Sequence, residues 1–326
     1  MRKTKLAVLF TVLIFTFIVS GCSTSKTTNE NSNPTKKTVK IGYYGGTCEA
    51  PVYIAKENGF FAKNGLNVEL IAIAGDTLKE GIGTGKIDAL MVSPALFKPI
   101  EQGLNVKLTD GIHTGCIQAV APVNSAINSV KDLLGKTIGV ESMGGVPMTL
   151  LSVELSKAGI DPKQDVSWKA YPGPQLLQAM EKGEVNVFAT WDPFGEIAVK
   201  DGKAKNIFST THTAGYKDQY CCFVGVSGKL LKESPETTRK IALSFAQAGQ
   251  WIEANPAEAA KITIEKKYSS GDVNTVTQLL TDYTFKSDVS KAEESLAFYF
   301  KALKDQQIFD STTDPDSLLK SVFVKL

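Results

Sequence analysis

Val39-Lys-Ile-Gly-Tyr-Tyr-Gly-Gly-Thr-Cys-Glu-Ala-Pro-Val-Tyr-Ile-Ala-Lys-Glu-Asn-Gly-Phe-Phe-Ala-Lys-Asn-Gly-Leu66 is the stretch whose reading decides the fold. Its β-rich opening predicts a strand over residues 39–44. A Gly45-Gly46 turn follows, then a helix over 51–58 with Pro51 near its start and Gly59 as its stop. Strand, glycine turn and helix in that order begin an α/β fold with a mostly parallel sheet.

The pattern continues outward. Strands are expected at 67–72, 89–92, 106–108 and 117–122, with a helix at 77–83 and a Ser93 cap followed by Pro94. A second run of the same kind starts near Val123. It has a strand at 137–140, a helix at 147–158, a strand at 185–190, a helix at 193–200 and a short strand at 207–209. Residues 222–227 are apolar and read as a return crossing, after which the chain is nearly all helix. Asn255-Pro256-Ala257-Glu258 has the form of a capping box. Two crossings around a middle segment imply a discontinuous first lobe (39–121 and 222–326), a second lobe (122–221) and a ligand cleft between them.

The chain of 326 residues carries 36 Lys+Arg, 34 Asp+Glu, two His and five Cys. Arg2, Lys3 and Lys5 lie in the first 21 residues, so the remainder holds 33 basic and 34 acidic groups. A body this near neutrality argues against a nucleic-acid partner, which needs a basic face. Only Arg2 and Arg239 are arginines, so a site of several bidentate guanidinium forks is excluded. No Gly-x-Ser-x-Gly, Walker A, dinucleotide fingerprint or His-Glu-x-x-His motif occurs. The expectation is a binding protein and not an enzyme, without a cofactor and monomeric.

The apolar run at 6–19 is shorter than the roughly 20 residues of a membrane span and follows a basic start, as in a signal peptide over 1–21. Val19-Ser20-Gly21-Cys22 resembles the lipobox of bacterial lipoproteins, which implies diacylation of Cys22 and anchoring outside the cytoplasmic membrane. Residues 22–38 are polar and aperiodic and read as a flexible tether.

Four body segments carry a wider resemblance: Ile54 to Leu66, Gly83-Thr-Gly-Lys-Ile-Asp-Ala89, Ile127-Asn-Ser-Val-Lys-Asp-Leu-Leu-Gly-Lys-Thr-Ile-Gly-Val140 and Ala189-Thr-Trp-Asp-Pro-Phe194. Their order and spacing resemble the solute-binding proteins of ABC importers that handle nitrate, sulfonates, taurine and thiamine precursors. The resemblance implies a type II periplasmic-binding fold, two α/β lobes joined by two hinge strands and closing on a small solute. It also implies a membrane permease and an ATPase subunit as partners.

In open α/β sheets ligands sit beyond the carboxyl ends of strands. That singles out Gly46, Thr47 and Cys48 after the first strand, Ser93 after the third, and Ser142, Gly144 and Gly145 in the second glycine-rich turn. The glycine turns offer backbone N–H groups to an anion, or are simply tight βα turns. Trp191 could form an aromatic wall, while Asp192 is either an acceptor for the ligand or a helix N-cap.

Apart from Cys22, the cysteines are Cys48, Cys116, Cys221 and Cys222, all beside expected ligand turns or crossings, with His113 three residues from Cys116. They are open to three readings: buried or disulfide-bonded structural residues, a soft-metal or organometal site, or contacts to a redox-labile or thiol-containing ligand. A Cys221–Cys222 bridge would be a strained ring. Cys48 and His113 could also pair as nucleophile and base in an extracellular thiol enzyme. His212 lies in a polar loop and reads as solvated. Among cargo classes, a small anionic or sulfur-containing solute of the sulfonate, taurine or nitrate type is the first expectation. A soft metal held by Cys48, His113, Cys116, Cys221 and Cys222 is the second.

Overall fold

In the computed structural model, residues 37–73 and 77–326 are described. The expected signal peptide, Cys22 and nearly all of the tether lie outside the described residues. Two five-stranded mixed sheets organise the body. The first has the order β2-β1-β3-β10-β4, built from β1 (Thr38–Tyr43), β2 (Asn67–Ala72), β3 (Ala89–Val92), β4 (Val106–Thr114) and β10 (Tyr220–Ser227). The second has the order β7-β6-β8-β5-β9, built from β5 (Ile117–Pro122), β6 (Thr137–Val140), β7 (Ser167–Ala170), β8 (Val187–Trp191) and β9 (Ala204–Ser209).

The two sheets share one plan. β1 runs parallel to β2 and β3, and β6 runs parallel to β7 and β8. Each parallel trio is extended by an antiparallel strand contributed across the junction: β10 beside β3 in the first sheet, β5 beside β8 in the second. Strands at the centre are buried on both faces, as helix-covered sheets require; all four residues of β3 and all eight of β10 are buried. Helices Pro235–Ala254 and Val289–Asp305 pack against the first sheet, and Phe97 meets Phe223 and Phe300 with ring centroids 6.0 and 5.0 Å apart.

The element order follows the sequence reading except for β7, which that reading did not include, and three further corrections apply. First, β4 extends to Thr114, well past residue 108. The polar Thr109-Asp110-Gly111 hides the continuation, because β4 passes directly beneath the Tyr220 ring there. A Cβ on Gly111 would lie 2.3 Å from that ring, and the β4–β10 register shifts alongside. Second, Asn255 stands at the N-cap of the helix Pro256–Glu265 but makes no side-chain capping bond; its side-chain amide instead donates to the carbonyl of Trp251 at 2.9 Å. Third, the chain changes sheet at Gly115-Cys116, ahead of the division drawn at residue 121, and returns between Ser209 and Tyr220. Among the described residues no helix is long and apolar enough to cross a membrane.

Candidate functional site

The turn after β1 is built around one carboxylate. Gly45 adopts φ +96°, a conformation glycine takes without steric cost. The loop then curls so that the amides of Tyr44, Gly45 and Gly46 donate to Glu49 at 2.9, 2.7 and 3.0 Å. The Tyr53 hydroxyl donates to the same carboxylate at 3.0 Å, and its ring stacks on Tyr268 with centroids 4.4 Å apart. The N–H groups expected to receive an anion are therefore occupied by a side chain three residues on. Burial pushes the Glu49 pKa up to about 7, opposed by these amide bonds.

This turn meets the end of β8 on the other sheet. Thr47 N–H donates to the carbonyl of Asp192 at 3.2 Å, and a Cβ on Gly46 would lie 3.2 Å from Cys48 Sγ and 3.7 Å from Trp191 Cδ1. Asp192 is fully buried; it accepts from Gln118 Nε2 at 2.8 Å and from the Tyr283 hydroxyl. It caps no helix, since Pro193 occupies the N-cap position of Phe194–Lys200. Burial drives its pKa up to about 8. Trp191 is half-buried, and its N–H donates to Glu141 at 3.1 Å. Burial likewise raises Glu141 to about 8.

Beneath this meeting point lie the thiols. Cys48 comes from the first turn, Cys116 from the outgoing crossing, and Cys221 and Cys222 from β10. His113 sits on the continued part of β4, with Cys222 as its register partner. Ligand atoms of Cys48, His113 and Cys116 all lie within 4.8 Å of one another, as do those of Cys116, Cys221 and Cys222. All five residues are buried and the four cysteines are free thiols, with Cys116 and Cys221 Sγ 3.0 Å apart.

Cys116 adopts φ +84°, a left-handed conformation costing a non-glycine residue roughly 1–2 kcal/mol, of the kind that concentrates at functional sites. His113 Nδ1 donates to the carbonyl of Thr114 at 3.1 Å, while Nε2 is buried with no hydrogen-bond partner.

Charge is unevenly shared in this cluster. Hydrogen bonds from Cys116 and then Cys222 pull the Cys221 thiol down to about 6, against burial. Burial, reinforced by the bonds to its neighbours, holds Cys116 well above the ordinary range. The thiols of Cys221 and Cys222 are thus pulled down while that of Cys116 is held up. Burial opposes charge on His113, but its interactions with Cys222 and Cys48 outweigh it and raise the imidazole pKa well above normal.

Of the residues singled out in the sequence, the structure gathers Gly46, Thr47, Cys48, His113, Cys116, Trp191, Asp192, Cys221 and Cys222 around one junction. Ser93 begins a short 3-10 turn, half-buried and without a capping bond. Ser142 and Gly144 are exposed, and Gly145 serves as N-cap of Val146–Lys157. His212 is exposed, as expected. Glu49, Gln118, Glu141 and Tyr283 join the site unannounced. Only Glu49 carried a signal, an acid three residues after a turn glycine at capping-box spacing.

With the geometry in view, the chain can be set beside known proteins. The nitrate/nitrite binding protein NrtA of Nostoc sp. is 27% identical over 257 residues, covering 70% of this chain and 57% of that protein. The chain spans less than two thirds of the length of the first curated relatives it matches. The alkanesulfonate-binding protein SsuA from Xanthomonas axonopodis pv. citri superposes with a TM-score of 0.74 at 17% identity, over 89% of this chain and 98% of that one. A ligand-binding component of an ABC-type import system from Staphylococcus aureus, with zinc bound, superposes with a TM-score of 0.70 at 18% identity, covering 88% and 99%. At these identities the two structures establish the fold alone, that of the periplasmic binding proteins. The model described as the NMT1-like family matches residues 32–265, most of the chain, and the protein belongs to that family.

Proposed function

We propose that this protein is the extracytoplasmic solute-binding subunit of an ABC importer and that its cargo is a soft, thiol-seeking metal ion or organometal. One observation carries the cargo assignment: four free thiols and a partnerless imidazole nitrogen, supplied by three separated segments, converge beneath the meeting point of the two sheets. Thiolates select zinc, Cu(I) and similar ions. A body of this size needs no disulfide staples, and all four thiols are free.

The other cargo class, a small anion of the sulfonate, taurine or nitrate type, rests on the names of NrtA and SsuA. Two features of the site speak against it. Glu49 already fills the glycine turn, and three carboxyls, the buried Glu49 and Asp192 and the half-buried Glu141, surround the junction. An anion placed there would meet acid groups and no arginine. A thiol enzyme is disfavoured because, although the bond to Cys116 opposes it, the bond to Cys222 and burial hold the Cys48 pKa above the ordinary thiol value, which makes it a poor nucleophile.

In this reading two lobes, one built on each sheet, close by hinge motion on the cargo. Closure joins Thr47 to Asp192 and seals the thiols. The closed monomer then delivers its cargo to a membrane permease driven by an ATPase subunit. A Cys22 lipid anchor with the 22–38 tether holds it near that permease.

Thermal shift of the reduced protein against Cu(I), Zn2+, nitrate and an alkanesulfonate separates the cargo classes. Stabilisation by a metal that disappears in Cys222→Ser is expected. Stabilisation by sulfonate or nitrate that persists in Cys222→Ser, with no metal effect in the wild type, overturns the metal cargo.

A further inference from the structure

The thiol cluster contains two three-ligand sets, Cys48–His113–Cys116 and Cys116–Cys221–Cys222, which share Cys116, and Cys222 lies beside Cys48 and His113 as well. Three sulfurs around one ion at bonds of roughly 2.3 Å stand about 4 Å apart. Each set, with its atoms all within 4.8 Å of one another, is of the size that encloses one ion. Resting on the metal cargo proposed above, we infer that the site holds two ions side by side, bridged by the thiolate of Cys116.

Coordination number selects the kind of ion. Structural zinc is almost always four-coordinate, whereas each set supplies three ligands, the number that closed-shell monovalent ions such as Cu(I) and Ag(I) accept readily in a trigonal plane. Sharing one sulfur lets five ligands complete two such planes where separate sites would need six. The backbone fits this role: Cys116 is the residue held in the left-handed conformation, at the crossing between the sheets. That position brings its Sγ to within 3.0 Å of Cys221 while it remains within reach of Cys48 and His113. His113 fits the first ion, with a buried Nε2 that has no hydrogen-bond partner. Entry of the ions releases the thiol protons to solvent, and no oxidation or reduction is involved.

The test is an anaerobic titration of the reduced full chain with Cu(I) against the competing chelator bicinchoninate, with the bound ions counted by native mass spectrometry. Two ions per chain are expected, falling to one in His113→Gln and to one in Cys222→Ser. X-ray absorption should show a Cu–Cu scattering path in the wild type that both variants lose. Saturation at one ion per chain overturns the bridged pair while leaving the metal cargo standing. Two ions that survive both substitutions also overturn it, since the ions then sit elsewhere. Failure to bind Cu(I) at all removes the pair and the metal cargo together. The wild-type count and scattering path decide the matter even if a variant folds poorly.

Discussion

The two glycine-rich turns that follow β1 and β6 look alike as strings of residues, yet the folded protein uses them in opposite ways. Gly45-Gly46-Thr47-Cys48-Glu49 is largely buried, and its amides close on its own carboxylate. In Glu141-Ser142-Met143-Gly144-Gly145 the central residues are exposed, with Met143 at 59%. Its carboxylate points away to Thr190 and the Trp191 amide. The difference lies in where the acid stands. An acid three residues after the second glycine reaches back over the turn, and an acid before the glycines cannot. A glycine pair after a strand is thus an anion site only when no neighbouring side chain fills it first.

The sharpest way to break this contrast is Glu49→Ala. It removes the acceptor for three turn amides and the Tyr53 hydroxyl, in a place from which water is mostly excluded. Leaving buried donors without an acceptor costs about 1–3 kcal/mol each where they stay dry. Because the Tyr53 hydroxyl also lies 3.1 Å from the carbonyl of Gly46 and the loop edge can hydrate, a total loss of roughly 2–4 kcal/mol is expected by urea denaturation.

The pH dependence has a definite sign. A carboxyl raised to about 7 in the folded state, from 4.5, holds its proton more tightly when folded. Its contribution to stability is therefore full below about 4.5 and declines as pH rises to about 7. Glu49→Gln should flatten that part of the stability profile relative to wild type. An unchanged slope between pH 5 and pH 8 would show that another group is responsible.

A middle-sized effect is expected at the contact between the halves. Tyr283→Phe removes the hydroxyl that donates to Asp192, leaving a buried carboxyl with Gln118 as its side-chain donor. A loss of about 1–3 kcal/mol is expected, with the melting temperature falling accordingly. It should be larger at high pH, where Asp192, raised to about 8, carries its charge without that donor. A loss equal at pH 6 and pH 9 would separate Asp192 ionisation from the contact.

These partners also mark how far the sequence could be read. The first parallel trio was legible because strand, turn and helix signals recur locally from Val39 to Val92, whereas in the second β7 was missed: its four residues, Ser-Trp-Lys-Ala, sit at the sheet edge, are mostly exposed and carry no apolar run. The thiols were legible as residue types placed near ligand turns. Their convergence was not, because Cys116 and Cys221 are 105 residues apart and meet only once β10 lies beside β4. The same holds for Tyr283, 91 residues from Asp192 in a segment between two helices. His113 belongs to the cluster through the far half of β4, which polar residues and Gly111 concealed. Gly111 is there because the Tyr220 ring covers it, a fact no local pattern carries.

The smallest effects should fall in the second turn, and there they separate backbone from side chain. Ser142 is exposed, so Ser142→Ala should shift stability by less than about 0.5 kcal/mol, the usual range for surface substitutions. Gly144 is also exposed, and a Cβ there meets nothing within 4 Å, but its φ is +71°. Gly144→Ala should therefore cost about 1–2 kcal/mol from conformation alone. Gly46→Ala is the counterpart in the first turn. Gly46 has an ordinary extended backbone, φ −78°, but its Cβ would press at 3.2 Å on Cys48 Sγ. Gly144→Ala should thus lower stability and leave Cu(I) affinity unchanged, while Gly46→Ala should disturb Cu(I) affinity first. Chemical denaturation and chelator competition on the two variants would reveal any exchange of these effects. Such an exchange would mean that the exposed turn, and not the buried one, faces the cargo.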